Sequence, residues 1–548
     1  MRNIPFLALL VVYLVGAVAI DAMDIDAAQY ANISREMADN NEFLEVHYRG
    51  EDYYLDKPPL LFWLTALVIK LLGATNLAYR LVPILSTLLG MYALYRFAKL
   101  YYSVQTATVA ALVMGSCQAF FLMNHDVRCD TLLTNCVMGA IWQIAAFRLS
   151  QRWGNLLWGA AFVGLAMLAK GPIGLIVVGA AFFVDFVLKR DWQALFNWKW
   201  LVGVVVIGLV LTPYCVGLHR QYGNEGLYFF FWKQSFGRIT GESDWANSPG
   251  LQFQAQNFLW SFLPWVLVFV PALVAAFRTV FVQRFRLQTN QEAISLAGFV
   301  LPFAALSTAQ YQLPHYTFVV FPLAALITAH YLSQLIDDLP TNHPQAFKWV
   351  RAGLILTASI MFFVVLALST WAFPLRNVWL AGLLIFMALL AFRLFAKTRP
   401  RFSQLVFAPF VVALACNLAL NAHVYPTLLT YQTGSQLGHY LSKSNNVDLR
   451  RFYLYDANPE NFYLFFDALD FYTRRSTPVA HTPEALPQKE SCWIYTDQKG
   501  LESVQRAGRR TEILRTYQKF HVTGLTLPFL NPETRLSQTQ KVFLVRVD

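Results

Sequence analysis

Apolar residues along this chain come in runs too long for the core strands or helices of a soluble domain. A helix crossing about 30 Å of hydrocarbon needs roughly 17 to 25 mostly apolar residues. Thirteen runs approach that description: Ile4 to Ile20, Leu81 to Phe97, Ala107 to Met123, Thr131 to Phe147, Leu156 to Leu168, Gly171 to Leu188, Leu201 to Leu218, Leu259 to Phe277, Ile294 to Leu306, Phe318 to Leu335, Ala352 to Ala372, Val378 to Phe395 and Leu405 to Leu420. The first run has no small-residue cleavage site before the acidic DAMDIDAAQ stretch, so it reads as a retained span. Past residue 440 the pattern changes. Alternating runs RFYLYD, CWIYTD and KVFLVRVD, with the helical stretch PENFYLFFDAL between them, predict a small α/β domain over 440–548. Residues 1–430 form the membrane part, giving a mainly α, polytopic chain of about 13 transmembrane helices.

The cations between the runs set the orientation, because cytoplasmic turns collect Lys and Arg. With the N-terminus inside, the inner turns carry Arg96 and Lys99, Arg148 and Arg152, Lys189, Arg190 and Lys199, Arg278, Arg284 and Arg286, Lys348 and Arg351, then Arg393, Lys397, Arg399 and Arg401. Loops 21–79 and 219–258, and the tail, then fall outside, so the chain is expected to be an integral membrane protein with these segments on the extracytoplasmic side. The composition agrees, at 56% hydrophobic and 14% charged. The +11 net charge therefore anchors the chain to the inner leaflet and does not point to nucleic acid. Six scattered cysteines suggest neither a disulfide framework nor a CxxC metal site. Asp185 is expected to pair with Lys189 one turn later.

The other ionisable residues gather on one side. Asp21, Asp24 and Asp26 precede AAQYANISREM, whose spacing predicts an amphipathic helix lying on the membrane; Asp56 and Lys57 precede a double proline at a helix entrance. NHDVRCDTLL brings His125, Asp126, Arg128 and Asp130, with Arg128 and Asp130 placed for a local salt bridge. LAKGPIG brings Lys170, WKQSFGRITGESDW brings Lys233, Arg238, Glu242 and Asp244, and QYQLPHYTF brings Gln312, His315 and Tyr316. Carboxylates that can take a proton from an attacking acceptor, beside cations that can neutralise a phosphate, suit group transfer from a lipid phosphate. No nucleotide loop is present. A transporter or flippase would need midplane charges and inverted repeats, and the sequence shows neither.

DAAQYANISREM, YLDKPPLLFWLTAL, RCDTLL, LAMLAKGPIGL, QSFGRI, FLPWVLVFVPAL and QLPHYTFVVFPLAAL occur in an order and spacing that resemble the bacterial family 39 and 83 glycosyltransferases of the GT-C fold. The resemblance runs from Ile4 to Leu335 and is to the aminoarabinose transferases that modify lipid A, within the wider protein O-mannosyltransferase-like group. It implies an inverting glycosyltransferase taking a sugar from polyprenyl (undecaprenyl) phosphate to an extracytoplasmic lipid or glycan, with a protein acceptor as the alternative. It also implies that Asp26 is the base, with Tyr30 following it, that Lys57 beside Asp56 and Arg238 contact phosphate, and that Asp130, Lys170, His315 and Tyr316 build the cavity. Ala27 stands where relatives carry a second acid, with Asp24 the nearest substitute. A histidine that relatives place in the long loop is replaced by Gln256 or Asn257. No cofactor is required by this reading, and a divalent cation held by the cavity acids is compatible with it.

Overall fold

The computed structural model describes residues 3–50, 52–234, 237, 247, 249–337, 344–444, 446–457 and 467–548. Each of the thirteen apolar runs forms helix. Among the described residues seven helices are long and apolar enough to cross a membrane, and up to nine if two bent pairs each count as one span. The bent pairs are Val104–Ser116 with Gln118–His125, at 52°, and Gln252–Ser261 with Val266–Val282, at 120°. Ile4–Ala19 and Ile294–Ser307 are shorter apolar helices, as is Leu60–Leu72, which follows the double proline.

The helices divide by what they bury. Val378–Phe395 has only 6% of its apolar window buried and so presents leucines and phenylalanines outward on nearly every side, an arrangement that lipid tolerates and water does not. Cys129–Ser150 is 78% buried and packs mainly against Asn76–Tyr101 and Trp153–Lys170. Its Asn135 and Thr134 return hydrogen bonds to carbonyls of their own helix, satisfying polar groups that hydrocarbon would leave orphaned. At its far end Arg148 bonds Asp185 at 2.6 Å, and Lys189 reaches the same carboxylate at 3.1 Å, as expected from the i, i+4 spacing.

Asp26–Asn40 departs from its expected place. It does not lie on the membrane: eleven of its fifteen residues are buried, because Leu60–Leu72 covers one side and the tail helix Asp467–Thr473 the other. Its polar stripe is turned to partners in place of headgroups. Asn32 donates to the Asp467 carbonyl at 2.6 Å, and Glu36 accepts from Ser476 at 2.8 Å. A two-residue hairpin, β1 (His47–Tyr48) with β2 (Asp52–Tyr53), extends this contact: Tyr48 bonds Asp467 at 2.8 Å and Arg49 pairs with Asp470 at 3.3 Å.

The three tail runs RFYLYD, CWIYTD and KVFLVRVD become strands, and two further segments, Val479–Ala480 and Thr511–Lys519, join them. β3 (Phe452–Tyr455), β4 (Val479–Ala480), β5 (Cys492–Asp497), β6 (Thr511–Lys519) and β7 (Gln540–Val547) form one mixed sheet in the order β4-β3-β5-β7-β6. Most of the PENFYLFFDAL stretch lies outside the described residues. The tail is tied to the bundle by Asp21, which receives His439 at 2.9 Å and Asn76 at 3.2 Å.

Candidate active site

The site forms where several helix ends meet. Asp26 opens its helix and Asp130 lies in the first turn of Cys129–Ser150, where the helix dipole favours an anion. Lys170 closes Trp153–Lys170, where the dipole favours a cation. Gly171, at φ +83°, takes a backbone conformation closed to L side chains, and Pro172 caps the next helix. That turn fixes Lys170 at the bundle end.

Two charged clusters result. In the first, Arg128 bridges Asp26 and Asp126, reaching Asp126 at 3.0 Å. Burial works against the Arg128 charge, but Asp126 and Asp26 outweigh it and hold its pKa above the ordinary arginine range. The Asp26 side chain keeps 38% of its surface exposed and so remains open to a reactant. In the second, Lys170 Nζ lies 2.5 Å from Asp130 Oδ1, His315 Nε2 lies 3.7 Å from Asp130 Oδ2, and the ammonium stands 4.0 Å from the Tyr316 ring centre. His315 packs edge-on to Tyr316 at 5.2 Å.

The Cys129 thiol joins the clusters, since it feels the charges of Lys57, Asp130, Lys170 and Asp26 together. Lys57 thus belongs to the same neighbourhood. Asp56 is exposed, and its carbonyl accepts from Gln234 at 2.5 Å, which pins the segment before the double proline to the 199–234 region. Tyr30 is buried beneath Asp26 against Phe62, at 5.7 Å between ring centres. The QLPHY loop is held by Asn247, which accepts from the Gln312 N–H at 2.9 Å, and by Gln254, which donates to the Leu313 carbonyl at 3.1 Å. Arg238, Glu242 and Asp244 lie outside the described residues.

Asp26, Tyr30, Lys57, Asp130, Lys170, His315 and Tyr316 are therefore brought together, with Asp56 at the edge. The pairing within NHDVRCDTLL differs from expectation: Arg128 turns to Asp26 and Asp126, leaving Asp130 to Lys170. Residues two apart at a helix start do not face one another. Asp24 does not stand in for a second acid. It lines a cavity of about 240 Å³ against the tail, with Gln432 and Lys519, where burial raises its carboxyl well above the usual range. Two arginines carry more than the sequence suggests. Arg128 is one, and Arg80 is the other. Fully buried, it donates to the carbonyls of Ile20 at 2.7 Å, Asp21 at 2.7 Å and His125 at 3.1 Å, holding the approaches to both Asp26 and Asp130. An arginine directly before an apolar run was the available signal.

A zinc set of the kind that uses a long-loop histidine does not fit. Asn257 spends its amide within its own helix, donating to Phe253 at 2.9 Å and accepting from Trp260 at 3.3 Å.

Residues 56–216 match the family model described as dolichyl-phosphate-mannose-protein mannosyltransferase. An undecaprenyl phosphate-α-4-amino-4-deoxy-L-arabinose arabinosyl transferase from Erwinia tasmaniensis is 28% identical over 63% of this chain and 61% of its own length. One from Edwardsiella ictaluri is 25% identical over 57% and 56%. The chain thus spans about three fifths of the length of these curated relatives. In fold, ArnT from Cupriavidus metallidurans, crystallised with undecaprenyl phosphate, superposes with a TM-score of 0.74 over 99% of this chain and 97% of that one, at 17% identity. In sequence the chain is thus similar to the aminoarabinose arabinosyl transferases, and in fold to ArnT.

Proposed function

We propose that this protein is an inverting glycosyltransferase that moves a sugar from undecaprenyl phosphate to a lipid or glycan acceptor, with an aminoarabinose-type pentose and a lipid A-type acceptor favoured. What carries the reading is the convergence of two carboxylate–cation clusters, Asp26–Arg128 and Asp130–Lys170, at one end of an apolar bundle, with the Lys57 charge in the same neighbourhood. The names of the relatives support the donor and the sugar.

In this mechanism Asp26 takes the proton from the acceptor hydroxyl as its oxygen attacks the anomeric carbon. The bond from that carbon to the phosphate oxygen breaks from the opposite face, and polyprenyl phosphate leaves with the electron pair. Lys57 and Arg238 neutralise the phosphate, while Asp130 and Lys170 hold the wall of the cavity and Arg128 sets the direction of Asp26. The donor's tail stays in the bilayer throughout. We place all thirteen helical runs across or into the inner membrane, with the N-terminus inside. The site then faces the periplasm, beneath an α/β tail domain.

The match to a protein mannosyltransferase model gives a second reading, a protein acceptor. Mass analysis of envelope lipids and glycoproteins with and without the protein separates the two. Replacing Asp26 by Asn tests the base itself. Loss of a positioned general base costs about 10²- to 10⁴-fold in rate. Near-normal transfer by folded Asp26→Asn protein would overturn the assignment.

A further inference from the structure

The segment after Asp26–Asn40 carries a group of side chains that the transfer reaction does not use. Glu42, Glu45 and His47 each offer one donor atom, and the three atoms lie within 4.8 Å of one another. His47 Nε2 is 3.6 Å from a Glu42 oxygen and 3.7 Å from a Glu45 oxygen. These separations are too long for hydrogen bonds. They are close to the spacing of donors around one small ion, since ligands about 2.1 Å from a tetrahedral zinc are about 3.4 Å apart.

Two further observations point to a cation. Both His47 ring nitrogens are shut off from solvent and have no hydrogen-bond partner, although an imidazole normally satisfies at least one of them. Neither glutamate is paired with a Lys or Arg among the described residues, and the group that faces both is His47. The His47 ring is backed by Tyr53 at 5.2 Å, which fixes its plane toward the carboxylates.

We propose that Glu42, Glu45 and His47 form a binding site for a divalent transition-metal ion, zinc first among them. Imidazole and carboxylate donors suit zinc, and three protein ligands leave a fourth position for water. Glu42, with 47% of its side chain exposed, has the freedom to swing in and close the set. The ion clips the 42–45 segment to β1. Because β1 pairs with β2, and β2 leads into Tyr54, Asp56 and Lys57, the clip stiffens the strand that delivers Lys57 to the site. The site is separate from the Asp26 and Asp130 clusters and does not depend on the transfer reaction.

The test is zinc binding by the tag-free full-length chain in detergent after chelator treatment, followed by calorimetry and metal analysis. One ion per chain is expected, and zinc should raise the thermal midpoint of the wild type. His47→Ala and Glu42→Gln should each weaken binding at least about 10-fold, the lower end of what loss of even an outer-shell partner costs. Glu42→Gln changes a half-exposed side chain and leaves the fold intact, so its result stands even if His47→Ala unfolds. A wild type that binds no zinc, or binding unchanged in Glu42→Gln, would refute the site.

Discussion

The pairing of Asp130 with Lys170 has consequences that can be worked out in advance. The charged atoms are 2.5 Å apart, and the side chains are only 5% and 13% exposed. With an effective dielectric constant of about 20, the Coulomb attraction at that separation is about 7 kcal/mol. Desolvation of each ion returns several kcal/mol of that, so the pair is close to balanced as a unit while each half is costly alone. Lys170→Met strands Asp130 with His315 at 3.7 Å, and destabilisation of about 3–5 kcal/mol is expected. Asp130→Asn removes the carboxylate that faces the ammonium, at a smaller cost because the cation–π contact with Tyr316 and a longer reach to solvent remain. The double variant should recover most of the loss, giving a coupling energy of about 2–4 kcal/mol. Reversible unfolding in mixed micelles by denaturing detergent, run on all four proteins, measures the cycle. A coupling under about 0.5 kcal/mol, the scatter of independent sites, would show that the two charges do not depend on one another. Transfer activity in the double variant adds a second readout, since a restored fold without restored turnover would show that the pair shapes the reacting cavity itself.

Other changes have equally definite outcomes. Arg80→Met leaves the carbonyls of Ile20, Asp21 and His125 without their donor, and a loss of about 3–5 kcal/mol in the same unfolding assay is expected. Gly171→Ala places a side chain at φ +83°, costing about 1–3 kcal/mol and reducing turnover by displacing Lys170; unchanged stability and rate would mean the turn tolerates it. The tail should dock more firmly in mild acid. Burial pushes the Asp467 carboxyl up to about 6 and that of Asp470 up to about 7, from an ordinary value of 3.8. Carboxyls raised in the folded state contribute stability fully below about pH 4 and lose it as pH climbs through 6 to 7. The thermal midpoint should therefore fall between pH 5 and 8, and Asp470→Asn should flatten that fall.

Much of this protein is legible from local pattern because lipid makes the local rule strict. Backbone groups in lipid must be satisfied internally, so an apolar run of sufficient length turns helical whatever its neighbours are, and all thirteen runs do, two of them with a bend. The strands of the tail follow from short β-branched and aromatic runs bounded by polar residues; KVFLVRVD becomes β7, with Val542, Phe543, Leu544 and Val545 all buried, so both faces of the strand are covered. The KGP turn, the double proline and the one-sided crowding of charges also lie in the order of residues. Which charge meets which does not, because an ion pair is set by where helix ends arrive in space. Arg128 and Asp130 are neighbours in sequence, yet one faces Asp26 across 102 positions and the other Lys170 across 40. The same reason hides the fate of Asp26–Asn40. Its amphipathic stripe predicts an interface, but whether that interface is lipid or protein was decided by a tail helix more than four hundred residues away. Only the packed structure shows that Arg80, a cation at the head of an apolar run, ties together the segments on which Asp26 and Asp130 stand.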